Sequence, residues 1–100
     1  MEKEDLTKYG FREDFDWNTR LDLKTKVNGY LVSTVDLGLD HNFGVGEPLY
    51  YETMVFELDE DEYIKTFEDL YMERYATEEQ AKEGHKRIVE MIKKGTEKES

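Results

Sequence analysis

Three consecutive polar residues, Asp40, His41 and Asn42, offer the most direct chemistry in this chain. They lie in a glycine-rich connector that spans residues 37–48. A carboxylate beside an imidazole suits general acid–base catalysis, and both groups also bind metal ions. Adjacent side chains point in different directions, however, which makes shared chelation unfavourable. The simpler interpretation is that Asp40 and Asn42 hydrogen-bond their own loop backbone, while His41 packs or lies at the surface.

The second imidazole, His85, lies in a different context. Four apolar residues recur around it at helical spacing: Ala81, Ile88, Val89 and Ile92. This stripe predicts a half-buried core histidine that hydrogen-bonds one partner and shares no metal with His41. Gly84 costs about 1 kcal/mol in a helix interior. We therefore expect the helix to pack closely against a neighbour at that point.

Charge is concentrated in the middle of the chain, whose formal net charge is −11. Between Glu52 and Glu79, eleven carboxylates accompany only Lys65 and Arg74. The plain interpretation is a solvated loop that keeps a small domain in solution. The functional interpretation is a negative surface that docks on a basic protein and occupies a basic groove.

The candidate partner-binding residues come from the connector and from this acidic segment: Asp40, His41, Asn42, Phe43, Asp59, Glu60, Asp61 and Glu62. Phe43 and the tyrosines at 50 and 51 offer stacking surfaces, but no lysine or arginine beside them would hold a phosphate. A calcium site around Asp59 and Asp61 is a weaker third option, because the glycine and the terminal glutamate of the EF-hand spacing are missing.

Composition excludes several other classes of function. The chain has no cysteine, so disulfides, thiolate metal sites and thiol nucleophiles are absent. A pI near 4.6 disfavours direct binding to nucleic acid or to an anionic membrane. No apolar run has the length of a membrane span or a signal-peptide core. We expect one cytoplasmic domain over residues 1–100, with loose ends at 1–8 and 96–100.

The dipeptide Asn28-Gly29 predicts a two-residue type I′ turn, because Asn and Gly best tolerate the positive φ that both central positions need. It lies between two alternating runs that together span Leu21–Asp36. The predicted register pairs Val27 with Tyr30, Thr25 with Val32, Leu23 with Thr34 and Leu21 with Asp36. One face then carries Leu21, Leu23, Thr25, Val27, Tyr30, Val32 and Thr34, a pattern that a one-residue slip would destroy.

Two further strands are predicted at Leu49–Phe56 and Leu70–Tyr75, with loops between the strands. Near the start of the chain, four aromatic residues occupy only odd positions: Tyr9, Phe11, Phe15 and Trp17. A period of two predicts an extended element, at most a short edge strand. Gly10 and the paired charges Glu13-Asp14 weaken that prediction.

Thr77 opens the one predicted helix, because Thr77-Glu78-Glu79-Gln80 matches the capping box. Lys93 and Lys94 suit the last turn, and Gly95 suits a C′ position with positive φ, so the helix is predicted to end near Lys94. Together these elements predict an α+β domain. It is an antiparallel β-meander of about four strands with one C-terminal α-helix packed on one face.

Two stretches, VSTVDLGLDHNFGVGEPLYYETMVF and ERYATEEQAKEGHKRIVE, resemble a group of small, uncharacterised proteins encoded by tailed bacteriophages and prophages. The matching residues are Val32–Val35, Leu37–His41, Glu52–Phe56, Glu73–Tyr75, Thr77, Gly84 and His85. The resemblance covers a little under half of the chain. It departs at Ala76, at Glu78 where an aromatic is expected, and in the acidic insertion after Phe56. It implies a phage or prophage origin and a compact α+β fold, and it implies no activity.

Two classes of function stay open at this point. The leading hypothesis is a non-enzymatic accessory protein that binds a basic host or phage protein through its acidic segment and its glycine-rich loop. The alternative is a small metal-dependent or acid–base hydrolase that uses Asp40, His41 and His85. A catalytic site needs a concave pocket with converging polar groups, and a meander of this length has little room for one. We therefore assign no catalytic residue, cofactor or metal.

Overall fold

The computed structural model describes residues 6–40, 44 and 46–98. Its elements are a 3-10 turn (Leu6–Tyr9), strands β1 (Asp22–Val27), β2 (Tyr30–Asp36), β3 (Tyr51–Glu57) and β4 (Tyr71–Tyr75), and helix α1 (Glu78–Lys98). The strands form one antiparallel sheet in the order β1-β2-β3-β4, and α1 packs on it. This confirms the predicted α+β meander with a C-terminal helix. None of the helices in the described part has both the length and the apolar character that a membrane span requires.

The first hairpin has the predicted turn and register. Asn28 and Gly29 adopt φ values of 47° and 86°, the positive range that a type I′ turn requires. Val27 lies opposite Tyr30, and the pairing continues in step along both strands. A hydrogen bond from the Asp36 N–H to the Leu21 carbonyl, 2.9 Å long, closes the far end of the hairpin.

The start of α1 is confirmed, and its predicted end is wrong. The Gln80 N–H donates to the Thr77 hydroxyl at 3.1 Å, and the Gln80 side chain accepts from the Thr77 N–H at 3.2 Å. Gly95 has no positive φ, and the helix continues through it to Lys98. A glycine permits a C′ turn without enforcing one, and nothing in the three residues that follow breaks a helix.

The core lies between the sheet and α1. One buried cluster contains Val27, Val32, Val55 and Ile88, and a second contains Tyr51, Tyr75 and Ala81. Gly84 faces the second cluster, and a Cβ added there would overlap the hydroxyl and ring of Tyr75. The close approach that Gly84 predicted is therefore confirmed, and it sets the distance between the helix and β4.

The segment from Tyr9 to Trp17 forms no strand, so the prediction of an extended edge element is wrong. Gly10 turns the chain at a φ of 92°, and among the described residues one isolated bridge, from Phe11 to Leu39, contacts the rest of the fold as a strand would. The rings of Phe11, Phe15 and Trp17 pack on one another at centroid distances of 5.0–5.6 Å. Their odd spacing therefore reflects an aromatic cluster built on turns.

An ion pair attaches this N-terminal segment to the sheet. The Arg12 guanidinium donates to both carboxylate oxygens of Asp36, at 3.2 and 2.6 Å, and it stacks over the rings of Tyr50 and Tyr51. The hydrogen bond to Asp36 raises the pKa of Arg12 above its usual value. The Asp36 side chain is buried. Removing Arg12 would leave a buried carboxylate without its main cation.

Candidate functional site

The first half of the acidic segment forms a hydrogen-bonded turn. Leu58 and Ile64 form an isolated bridge, and Asp59 and Tyr63 are joined by a 2.8 Å backbone hydrogen bond. The Asp59 carboxylate accepts from the N–H groups of Asp61 and Tyr63 at 2.9 and 3.1 Å. This pattern is an Asx-type turn. Asp59 therefore has a structural role, in addition to any role in binding. Residues 58–70 are called the acidic loop below.

The other acidic candidates lie at the tip of this loop. Glu60, Asp61 and Glu62 are exposed. Glu62 adopts a φ of 65°, which turns the chain, and its carboxylate lies 3.8 Å from the Lys26 ammonium on β1. These side chains stand in solvent, where charge attraction acts at long range but contributes little to local stability.

Three large apolar side chains interrupt the acidic loop and point into solvent. Tyr63 is 72% exposed, Phe67 81% and Leu70 57%. Phe67 contacts the protein through an edge-to-face arrangement with Phe56, at a ring-centroid distance of 6.5 Å. Single exposed apolar residues are common, but several within one short loop are typical of an interaction surface.

The connector places Asp40 in a structural role as well. Its carboxylate accepts from the Gly44 N–H and from the Leu49 N–H, each at 3.0 Å, and so ties the two ends of the connector together. The simpler interpretation expected Asp40 to hydrogen-bond its own loop backbone, and it does. The other three connector candidates, His41, Asn42 and Phe43, lie outside the described residues.

His85 is a buried core residue with two hydrogen-bond partners, one more than predicted. Its Nε2 lies 2.8 Å from the Thr25 hydroxyl, and its Nδ1 lies 2.7 Å from the Thr34 hydroxyl. Thr34 in turn contacts the Thr53 hydroxyl at 2.5 Å. Burial, followed by the nearby charge of Lys24, lowers the pKa of His85. Both ring nitrogens are occupied, so the network joins α1 to three strands and leaves the imidazole no free ligand position.

Both ring nitrogens of His85 thus contact threonine hydroxyls, whereas His41 lies outside the described residues, so the absence of a shared metal stays a prediction. Among those residues, no three histidine, aspartate or glutamate side chains cluster as metal ligands. The Tyr75 hydroxyl, buried beside the same network, has no partner of standard geometry among the described residues. Burial raises its pKa. The contacts of this region join α1 to the sheet, which is a packing role.

Sequence reasoning overlooked the apolar half of the acidic loop. The strongly charged segment contains an eight-residue stretch with three large apolar residues, Tyr63, Phe67 and Leu70. Their clustering is a signal that a count of charges alone misses. It also overlooked the ion pair between Arg12 and Asp36, which depends on the tertiary placement of a segment that has little regular structure.

The acidic loop and the connector are thus the two candidate surfaces. The structure describes the whole of the acidic loop and part of the connector. We compared the chain with models of known protein families, with curated proteins and with solved structures, and no match was found.

Proposed function

We propose that this protein is a small non-enzymatic accessory protein, of phage or prophage origin, that binds a basic host or phage protein through the acidic loop. The observation that carries the proposal is the exposure of Tyr63, Phe67 and Leu70 within that loop. Acidic side chains steer a basic partner and speed its capture. Apolar side chains supply the affinity, since fully burying one Phe or Leu side chain contributes about 1.5–3 kcal/mol.

The proposal assigns separate tasks to the two kinds of residue. Glu60, Asp61 and Glu62 attract the partner across solvent, and their effect is screened by salt beyond about 8 Å at physiological ionic strength. Phe67 and Leu70 make the contact itself. Asp59 holds the loop in shape through its two backbone hydrogen bonds. The connector around Asp40 is a second contact in this proposal.

A charge variant that spares Asp59 tests the first task. We expect Glu60→Gln, Asp61→Asn and Glu62→Gln together to slow association with a basic partner captured from the bacterial host, mainly at low ionic strength, while dissociation changes little. The matched control is Glu13→Gln, Glu79→Gln and Glu90→Gln, which removes the same charge from other exposed positions. Equal slowing in both triple variants would show that net charge, and not the loop, attracts the partner.

A second variant tests the contact itself. Phe67→Ser should speed dissociation about tenfold or more and leave the salt dependence of association unchanged, because it removes apolar area without changing charge. Surface binding kinetics with the captured protein give both rates. A partner that dissociates from Phe67→Ser as slowly as from wild type would remove the aromatic residue from the interface.

A further inference from the structure

Strand β4 leaves one edge of the sheet open. In the described part of the chain no further strand pairs with it. The Leu58 N–H donates to the Gly29 carbonyl and the Leu37 N–H to the Tyr50 carbonyl, each at 2.8 Å, so Tyr51, Thr53 and Val55 turn their backbone groups toward β4. Their partners Tyr75, Glu73 and Tyr71 therefore bond β3. Backbone groups alternate along a strand. Met72 and Arg74 therefore direct their N–H and C=O groups away from β3.

Two pockets lie between β4 and α1 along this open edge and are together called the groove. The pocket nearer the acidic loop is an apolar pit of about 220 Å³, lined by Val55, Tyr71, Ile88, Met91 and Ile92. The other end is a polar cleft whose wall contains Glu83. An ion pair between Glu73 and Arg87 marks the boundary between the two ends, and the Tyr71 hydroxyl donates to Glu73 at 2.6 Å.

An extended chain fits both features at once. Its backbone would bond the outward groups of Met72 and Arg74, and every second side chain would face the helix side of the sheet. The side chain opposite Tyr71 would enter the apolar pit. The next one on that face, opposite Glu73, would meet the ion pair. The groove therefore favours an apolar side chain with a polar side chain two positions away from it.

We propose that β4 accepts an extended segment of a basic partner protein as a fifth strand, with one large apolar side chain seated in the pit. The identity of the partner as basic rests on the proposed function. Charge complementarity selects it over a second copy of this chain, because each copy has a net charge of −11. Glu68 and Asp69 are exposed and are separated from Tyr71 only by Leu70, so a lysine or arginine of the added segment lies at that end.

A display library of random twelve-residue peptides, selected on the full-length protein, provides the probe. We expect enriched peptides to place Leu, Met or Phe next to Lys or Arg. Met72→Pro removes an outward N–H that β3 does not use, so the sheet keeps its own hydrogen bonds. We expect this variant to bind the enriched peptides at least about tenfold more weakly than the matched control Met72→Ala.

Two further measurements keep the proposal open to failure if Met72→Pro disturbs the fold. Met91→Glu places a charge in the wall of the pit at an exposed position, and it should weaken the same peptides by a similar factor. In wild-type protein, amide hydrogen exchange at Met72 and Arg74 should slow when the peptide binds. Failure of any peptide to enrich, or unchanged exchange at both amides in the complex, overturns strand addition.

The outcomes separate this inference from the loop proposal. Peptides that bind Met72→Pro normally but not the triple loop variant would overturn strand addition and support the loop as the binding surface. Peptides that fail to bind Met72→Pro but bind the triple loop variant normally would support strand addition. They would also show that the loop takes no part in peptide binding. Peptides that bind neither Met72→Pro nor the triple loop variant would support strand addition on a binding surface that includes both β4 and the acidic loop.

Discussion

The two edges of the sheet differ in how they meet solvent. At β1 the outer edge carries the charged residues Asp22, Lys24 and Lys26, and Asp22 pairs with Lys24. At β4 the outer edge carries two exposed apolar residues, Tyr71 and Met72, and its two charged residues, Glu73 and Arg74, pair with Arg87 and Glu52. Charged side chains, lysine above all, prevent an edge strand from pairing with another chain. The comparison indicates that one edge is blocked and that the other is open to a partner.

Helix α1 is also fastened differently at the two edges. Over β1 it makes a side-chain hydrogen bond between His85 and the Thr25 hydroxyl. Over β4 it makes a steric contact, in which Gly84 lies directly against Tyr75, and an ion pair between Arg87 and Glu73. A close-packed contact leaves no room for added volume. The groove beside β4 is thus built next to a close-packed contact between Gly84 and Tyr75.

The largest effect is expected at Gly84. Gly84→Ala places a methyl group inside the volume of the buried Tyr75 ring, and overpacking of this kind costs about 1–3 kcal/mol. The gain in helix propensity, about 1 kcal/mol, offsets part of that cost. We expect a net loss in the free energy of unfolding, measured with urea.

Gly95→Ala is the matched control for that substitution. No atom lies within 4 Å of a Cβ at Gly95, so the same propensity gain acts without a clash. It should leave the protein unchanged or more stable by up to about 1 kcal/mol. If Gly84→Ala stabilises the protein as Gly95→Ala does, the close-packed contact between Gly84 and Tyr75 does not exist.

A smaller effect is expected over β1. Thr25→Val removes the hydroxyl that His85 Nε2 contacts and keeps the shape of the side chain, so it should cost about 1 kcal/mol. Thr25→Ser keeps the hydroxyl and is the control. Urea unfolding of both variants measures the difference. A Thr25→Val protein at least as stable as Thr25→Ser would mean that the hydrogen bond contributes nothing.

The pH dependence of stability tests the same attachment. Burial lowers the pKa of His85 from its ordinary 6.5, so the unfolded chain binds this proton more readily than the native protein does. The contribution of neutral His85 is complete above about 6.5 and is lost as the pH falls through the folded pKa. The stability difference between wild type and His85→Gln should therefore shrink between about pH 7 and pH 5.

In that comparison the contributions of the other titrating groups to the pH dependence cancel, because both proteins keep the same carboxylates and His41. Urea unfolding at several pH values gives the difference. A gap that stays constant over this range would show that His85 does not titrate differently in the two states.

The smallest effect is expected at Lys24. Its ion pair with Asp22 is exposed on both sides, and exposed pairs contribute about 0–1 kcal/mol. Lys24→Ala should change stability by less than about 0.5 kcal/mol while making the β1 edge less protected. Analytical ultracentrifugation should then show more self-association at high protein concentration. A loss of stability above 1 kcal/mol without self-association would assign Lys24 to stability instead.

The parts of the fold that were predictable depend on signals within a few residues. Asn28-Gly29 sets its own turn, and Thr77 with Gln80 forms its own cap, so neither needs the rest of the chain. The helix end predicted at Gly95 was wrong because a glycine near a helix end permits several conformations, and local sequence does not determine which one forms. The extended element predicted from the N-terminal aromatic residues was wrong for a related reason, since aromatic residues at alternate positions can also cluster on turns.

The candidate site was predictable only as charge. The count of carboxylates located the acidic loop, but the exposure of Phe67 and the outward backbone groups of Met72 depend on how distant strands pair. Asp59 and Asp40 were chosen as binding residues because they are acidic and lie in loops. Their carboxylates hold backbone N–H groups, a role that sequence position alone does not distinguish from exposure.

The order of the elements along the chain has a consequence for synthesis in the cell. All four strands precede α1, so a ribosome completes the meander before it has made the helix that covers it. Until then the row of Val32 and Val55 faces water, on a sheet whose hairpins are local enough to form early. The negative charge of the chain opposes the association of such nascent chains during that interval.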